Sequence, residues 1–139
     1  IVSWAERPFI LKGIMTARGA EKALEAGASG IVVSNHGGRV LDHCPATAEV
    51  LPEIADAVGG RMTIFVDGAV RSGMDIFKAL ALGADAVLIG RPFVTSIYGG
   101  GEEGVKLYVQ KLKAELADTM RMCGAHSLAE IDRSMIYRG

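Results

Sequence analysis

The sequence predicts an all-parallel α/β chain of four strand-helix units, about half of a (β/α)8 TIM barrel. Three observations predict it. Short apolar runs rich in β-branched residues, at 8–14, 30–34, 62–66 and 86–89, alternate with helical segments, and no hairpin signal lies between them. The stretches Ala26-Gly27-Ala28-Ser29-Gly30-Ile31-Val32-Val33 and Leu82-Gly83-Ala84-Asp85-Ala86-Val87-Leu88-Ile89 share one helix-stop-then-strand grammar, a faint internal repeat. The third is length: a complete barrel takes eight units and about 250 residues, and this chain has 139.

The elements follow in order. The first strand closes at Ile14, and Thr16 can N-cap a helix that runs to about Ala26, with Gly27 as its stop. The second strand ends in the run Ser34-Asn35-His36-Gly37-Gly38-Arg39, and its loop continues through Cys44-Pro45. Val50, Ile54 and Val58 recur at i, i+4, and because Pro52 suits a first helical turn, the helix is expected to start near Leu51 and to end at Gly59-Gly60. Met62 to Val66 makes the third strand. Ser72 with Asp75 three residues on forms a capping signature for a helix through Leu82, stopped by Gly83. The fourth strand meets Gly90-Arg91-Pro92. After Gly99-Gly100-Gly101 a long helix is expected from about Glu102 to Met122, striped by Val105, Tyr108, Leu112, Leu116 and Met120, and Ser127–Glu130 forms a short closing helix.

Four parallel strands with helices on one side leave an apolar face and two sheet edges uncovered. The expectation is therefore that residues 1–139 are a C-terminal half-barrel completed by an absent N-terminal half or by a second copy, hence a homo-oligomer, unless the sheet packs differently from a barrel.

Composition narrows the partners. With 50% hydrophobic residues the chain can build a core, and its net charge of −1 lacks the cationic excess that nucleic acid or an anionic membrane surface requires. No apolar run is long enough to span a bilayer, and the first residues lack the pattern of a signal peptide. Cys44 and Cys123 fit neither a CxxC nor a zinc pattern, so no metal site is expected, and free thiols point to a reducing, cytoplasmic setting. The ligand is expected to be small.

The candidate site sits at the strand ends, where parallel α/β folds keep their chemistry. His36 can exchange a proton near neutral pH, and Arg39 offers a planar fork matched to a carboxylate, with two glycines between them that let the backbone approach a ligand. A loop histidine alone more often only bonds to backbone; the fixed spacing to Arg39 after a buried strand reverses that preference. Lys12 either lines a site or snorkels from its strand end, and position alone does not choose. Asp67-Gly68-Ala69-Val70-Arg71 and Gly90-Arg91 place glycine and arginine in two adjacent units, which favours a phosphate site over mere tight turns and surface charge. His43 and His126 read as loop or surface residues, and Trp4, Tyr98 and the methionines as packing.

Lys12-Gly13-Ile14, Ser34-Asn35-His36-Gly37-Gly38-Arg39 with Leu41-Asp42, Asp67-Gly68 with Arg71, and Gly90-Arg91-Pro92 resemble, in order and spacing, the FMN-dependent 2-hydroxy acid oxidase and dehydrogenase family. The similarity covers nearly the whole chain, and the SNHGGR run is its most specific motif. The resemblance implies FMN as cofactor and oxidation of a small 2-hydroxy acid to the 2-keto acid in the full-length enzyme, with this chain alone inactive. It implies that Lys12 and Ser34 contact the flavin ring, that His36 is the base, that Arg39 holds the substrate carboxylate, and that Asp67, Gly68, Arg71, Gly90 and Arg91 hold the ribityl phosphate. Two departures stand out. Ala69 occupies a position where the family usually has a second glycine, and the family's first four strands, with a further substrate tyrosine and arginine and the aspartate that pairs with the histidine, have no counterpart here. The competing readings are another FMN or phosphate-binding barrel of the IMP dehydrogenase or isopentenyl diphosphate isomerase type, and a catalytically silent half-barrel that self-associates.

Overall fold

In a computed structural model describing residues 1–137, the chain is one four-stranded parallel sheet in the order β1-β2-β3-β4, with helices following the strands. A short helix α1 (Val2–Ala5) precedes β1 (Ile10–Ile14), α2 (Ala17–Glu25), β2 (Gly30–Val33), α3 (Thr47–Val58), β3 (Thr63–Val66), α4 (Gly73–Ala81), β4 (Ala86–Val87) and α5 (Arg91–Cys123). Single 3₁₀ turns lie at His36–Gly38, Leu128–Glu130 and Arg133–Met135. No described helix is long and apolar enough to cross a membrane. The half-barrel expected from the strand-helix alternation is thus present.

Local capping chemistry explains the helix ends. Thr16 Oγ1 accepts the Gly19 N–H at 3.0 Å, and Ser72 Oγ accepts that of Asp75 at 3.2 Å while the Asp75 carboxylate accepts the Ser72 N–H at 3.0 Å. Both satisfy N–H groups that a helix start leaves unpaired. Beyond the far ends of these helices Gly27 and Gly83 take φ of +83° and +109°, the left-handed region where only glycine avoids a steric penalty.

The core lies between the outer face of the sheet and α2 to α4. Ile31, Val33, Ile64 and Val66 alternate along their strands and meet Ala20 and Ala23 of α2 and Leu51, Ile54 and Val58 of α3. A second cluster joins Phe77 and Ala81 of α4 to Ala125 and Ile131 after α5. The other face of the sheet is left partly open: Ile10 is 46% and Leu88 40% exposed, and Phe65 is half-buried between them in the sheet. Uncovered apolar area at one face, with β1 and β4 as free edges, is what half a barrel presents.

Four expectations need correction. Helix α3 starts at Thr47, four residues before Leu51, so Pro52 lies inside it; Thr47 donates its hydroxyl to Asp67 O at 2.5 Å and Glu49 accepts the Ala46 N–H at 2.8 Å, ties that secure a first turn ahead of the proline. Strand β4 covers only 86–87 of the expected 86–89, although Leu88 N–H still bonds to Val66 O at 2.8 Å. Helix α5 begins at Arg91, because Pro92 fits a first turn and the glycine run is a bend rather than a loop: Gly101, at φ 56° and ψ −138°, breaks the helix where the sequence predicted its beginning. Trp4 and Tyr98, expected to pack, are 85% and 89% exposed, and Met74 and Met122 are exposed too, whereas Met62 belongs to the core. These side chains stand on surfaces that this half of the fold leaves uncovered.

Candidate functional site

Each strand delivers polar groups to the same end of the sheet. In a strand alternate residues share a face, so Val32 and Ser34 project inward from β2, and Phe65 and Asp67 from β3. Lys12 is paired with Val32, and a register break between Lys12 and Ile14, at Gly13 with φ +98°, bends the edge strand beside the lysine. The result is a direct cluster. Lys12 Nζ donates to Ser34 Oγ at 2.6 Å and to Asp67 Oδ2 at 2.5 Å. Ser34, only 2% exposed, also accepts the His36 N–H at 3.1 Å. The other carboxylate oxygen, Asp67 Oδ1, is buried and has no partner among the described residues, an unmet acceptor beside the lysine.

The loop after β2 is held by its own residues. Asn35 accepts the Gly38 N–H at 3.2 Å and donates to Pro45 O at 3.2 Å, and Arg39 N–H bonds to His36 O at 3.3 Å. His36, Gly37 and Gly38 all lie in the left-handed region, at φ 56°, 63° and 74°. The two glycines accept this freely; His36 is strained, as residues at functional sites often are. The turn carries the His36 imidazole and the Arg39 guanidinium on exposed positions. Among the described residues the histidine ion pair is that of exposed His43 with Asp42 at 3.8 Å, and no carboxylate pairs with His36.

The loop after β3 is held from outside. Thr47 donates to Asp67 O, and the Tyr108 hydroxyl of α5 donates to Arg71 O at 3.0 Å. Asp75 Oδ2 accepts the Arg71 and Ser72 N–H groups, each at 3.0 Å, and the Ser72 hydroxyl at 2.8 Å. Glu115 accepts the Gly73 N–H at 2.9 Å. Burial pushes the Asp75 carboxyl up, but the Ser72 hydroxyl, the two N–H donors and the nearby Lys78 charge together outweigh it and hold the group below its ordinary range. Burial pushes the Tyr108 phenol up, keeping it a neutral donor. Hydrogen bonds from Lys111 and then the Gly73 N–H lower Glu115.

A cavity of about 730 Å³ opens between these loops, within the size range of small-ligand sites. Of the nine residues singled out from the sequence, Lys12, His36, Arg39, Asp67, Gly68, Arg71, Gly90 and Arg91 line it, and Ser34 lies beneath, bonded to Lys12. A second cavity of about 720 Å³, among α3, α4 and the end of α5, is lined by none of them. Thr47 and Tyr108 were not singled out as site residues. Thr47 was hidden by the late placement of α3, and Tyr108 read as one residue of a packing stripe.

The fold and the polar strand ends define half of a parallel (β/α) barrel with a ligand cavity at its C-terminal end. Comparison with known proteins makes this specific. A family model described as FMN-dependent dehydrogenase matches residues 1–138. The peroxisomal (S)-2-hydroxyacid oxidase of Arabidopsis thaliana is 50% identical over 134 residues, covering 96% of this chain and 37% of the relative. Glycolate oxidase of Spinacia oleracea is 49% identical, covering 97% and 38%. The crystal structure of mandelate oxidase with benzoyl-formic acid superposes with a TM-score of 0.92 at 44% identity, over 95% of this chain and 39% of that one. This chain belongs to the FMN-dependent dehydrogenase family, whose cofactor is FMN. It spans a little over a third of the length of the relatives it matches. The match selects this family over the other phosphate-binding barrels weighed above.

Proposed function

We propose that this chain is the C-terminal half-barrel of an enzyme that oxidises a small 2-hydroxy acid to the 2-keto acid with FMN. The observation that carries the proposal is convergence: four successive strand ends bring a lysine, a histidine, an aspartate, three arginines and their glycines to one cavity. A flavin phosphate would lie against Gly68, Arg71, Gly90 and Arg91, whose backbone N–H groups and guanidinium forks suit an anion. The unmet Asp67 Oδ1 suits a donor from the cofactor's polyol. Lys12 sets a cation at the end of β1, where it would stabilise negative charge on a bound flavin ring, and Ser34 holds that cation in place.

Bound FMN supplies the acceptor for two electrons. The chain's residues do the rest. Arg39 pairs with the substrate carboxylate and fixes its orientation, an effect of proximity and charge. His36 would take one proton as the substrate's Cα–H and O–H bonds give way to a carbonyl, the other hydrogen leaving with the electron pair to the flavin, and the imidazolium so formed would be stabilised by a carboxylate from outside this half. The remaining strands come from an N-terminal half, with a second copy of the chain as the other way to cover the open face. The proposed location is cytoplasmic, read from the two free thiols, and imaging a tagged full-length protein tests it.

The test is His36→Ala in the full-length protein, with FMN binding and flavin reduction by 2-hydroxy acids measured separately. Retained flavin with reduction slowed by a factor of about 10² or more is the expected result. Unchanged reduction would remove His36 as the base. A wild-type protein that holds FMN but reduces it with no hydroxy acid would instead favour a silent binding module.

A further inference from the structure

We propose that Tyr108 is a positioning residue for the phosphate-binding loops, holding one with its hydroxyl and the other with its ring. The inference rests on the phosphate site assigned above. Tyr108 lies on α5, 37 residues beyond Arg71, and reaches it because the chain folds back at Gly101. The two arms approach closely: a Cβ on Gly104 would collide with Ser96 O, so glycine is needed for the arms to meet. The Tyr108 ring then packs edge-on against Phe93, with centroids 5.2 Å apart and planes at 77°. Phe93 is two residues from Arg91, so the ring abuts the helix turn that begins with one arginine while the hydroxyl bonds to the carbonyl of the other.

Arg71 is therefore pinned at both backbone groups. Its N–H goes to Asp75 and its C=O accepts from Tyr108, while its guanidinium spends no hydrogen bond on the described residues. Fixing both peptide groups fixes the direction in which the side chain leaves the loop, and the free fork points its chemistry at the cavity that Arg71, Arg91 and Tyr108 all line. A tyrosine serving only as packing would need neither the carbonyl bond nor a place on the cavity wall.

The experiment is a flavin titration of the full-length apoprotein with FMN and, separately, with riboflavin, which lacks the phosphate. Wild type, Tyr108→Phe, Arg71→Ala and the double variant are compared. Phenylalanine keeps the ring on Phe93, so the fold is retained and only the hydroxyl is lost. The expected result is an FMN dissociation constant raised about fivefold by Tyr108→Phe, the scale of one neutral hydrogen bond. Riboflavin binding should stay within about twofold, and Tyr108→Phe should add nothing on top of Arg71→Ala. Equal weakening of both flavins, no weakening of FMN, or full additivity in the double variant would overturn the positioning role, while selective loss of FMN in Arg71→Ala would leave the phosphate site standing. Arg71→Ala without any change in the FMN-to-riboflavin ratio would remove the phosphate site itself, and the role of Tyr108 with it.

Discussion

The loops after β2 and β3 carry the two halves of the site, and they are supported in opposite ways. The first is tied to itself: Ser34, Asn35 and a 3₁₀ turn hold its backbone, and its two working side chains, His36 and Arg39, stand exposed. The second is tied to three helices, through Thr47 of α3, Asp75 of α4 and Tyr108 and Glu115 of α5. The difference teaches which part of the chemistry this half of the barrel completes. The backbone of the proposed phosphate loop after β3 is held from within the chain. At the β2 end the proposed base and clamp stand exposed, and no carboxylate among the described residues pairs with the His36 imidazole.

The strongest way to break that contrast is at Asp75, whose one oxygen receives three donors from the Arg71–Ser72 segment. Asp75→Ala should destabilise the full-length protein by about 2–3 kcal/mol, since it removes a helix cap together with charge-assisted bonds. Urea unfolding with and without FMN measures it, and a loss under 0.5 kcal/mol would mean the loop is held without this clamp. The same group sets a pH dependence. Its folded value lies below the ordinary 3.8, so its contribution is present above that value and is lost as pH falls through the still lower folded value. FMN should therefore be released on acidification below about pH 4 more steeply than riboflavin, and Asp75→Asn should flatten the difference.

The contrast also separates what was legible in the sequence from what was not. Caps and stops are written within four residues of each other, so Thr16, Ser72 with Asp75, Gly27 and Gly83 could be read directly and stand where expected. The β2 loop was legible for the same reason, because its ties are local. The β3 loop's residues could be named from Asp67 to Arg71, yet their support could not: Thr47 reaches Asp67 across 20 residues and Tyr108 reaches Arg71 across 37. The misplaced starts of α3 and α5 have one cause. In a local window a proline or a glycine run reads as a boundary, whereas Pro52 sits inside α3 and Gly101 bends α5. Tertiary ties decided both cases, and such ties leave no mark in a local window.

A smaller effect is expected at Gly68, where the β3 loop meets α3. Its φ of +102° suits glycine alone, and a Cβ there would come within 2.7 Å of Thr47 Oγ1. Gly68→Ala should destabilise by about 1–2 kcal/mol through backbone strain, and it should disturb the Thr47 bond to Asp67 O as well. Adding Thr47→Ala sharpens the point. If the clash with the hydroxyl contributes, the double variant is less destabilised than the sum of the singles, by about 0.5 kcal/mol or more. Strict additivity would place the whole effect in the backbone of Gly68.

The smallest expected effect is a gain, and it sets the two loops side by side. Both hold non-glycine residues in the left-handed region, His36 at φ 56° and His43 at φ 58° in the β2 loop and Ala69 at φ 59° in the β3 loop. In the β2 loop one of the two strained residues, His36, is the proposed base, so strain and chemistry cannot be separated there. In the β3 loop the strained residue is an exposed alanine at a position where the resemblance led us to expect glycine. Relieving its steric penalty is worth about 1–2 kcal/mol, against about 0.4–1 kcal/mol for the extra freedom glycine gives the unfolded chain. Ala69→Gly should thus stabilise the full-length protein by about 0.5 kcal/mol, a rise of about 0.5–1 °C in Tm for a protein of the relatives' length, and leave FMN binding unchanged or slightly tighter because the backbone N–H groups stay where they are. A fall in Tm would mean that the methyl group is held in place by contacts from beyond this half-barrel, and that the β3 loop, like the β2 loop, depends on the rest of the barrel.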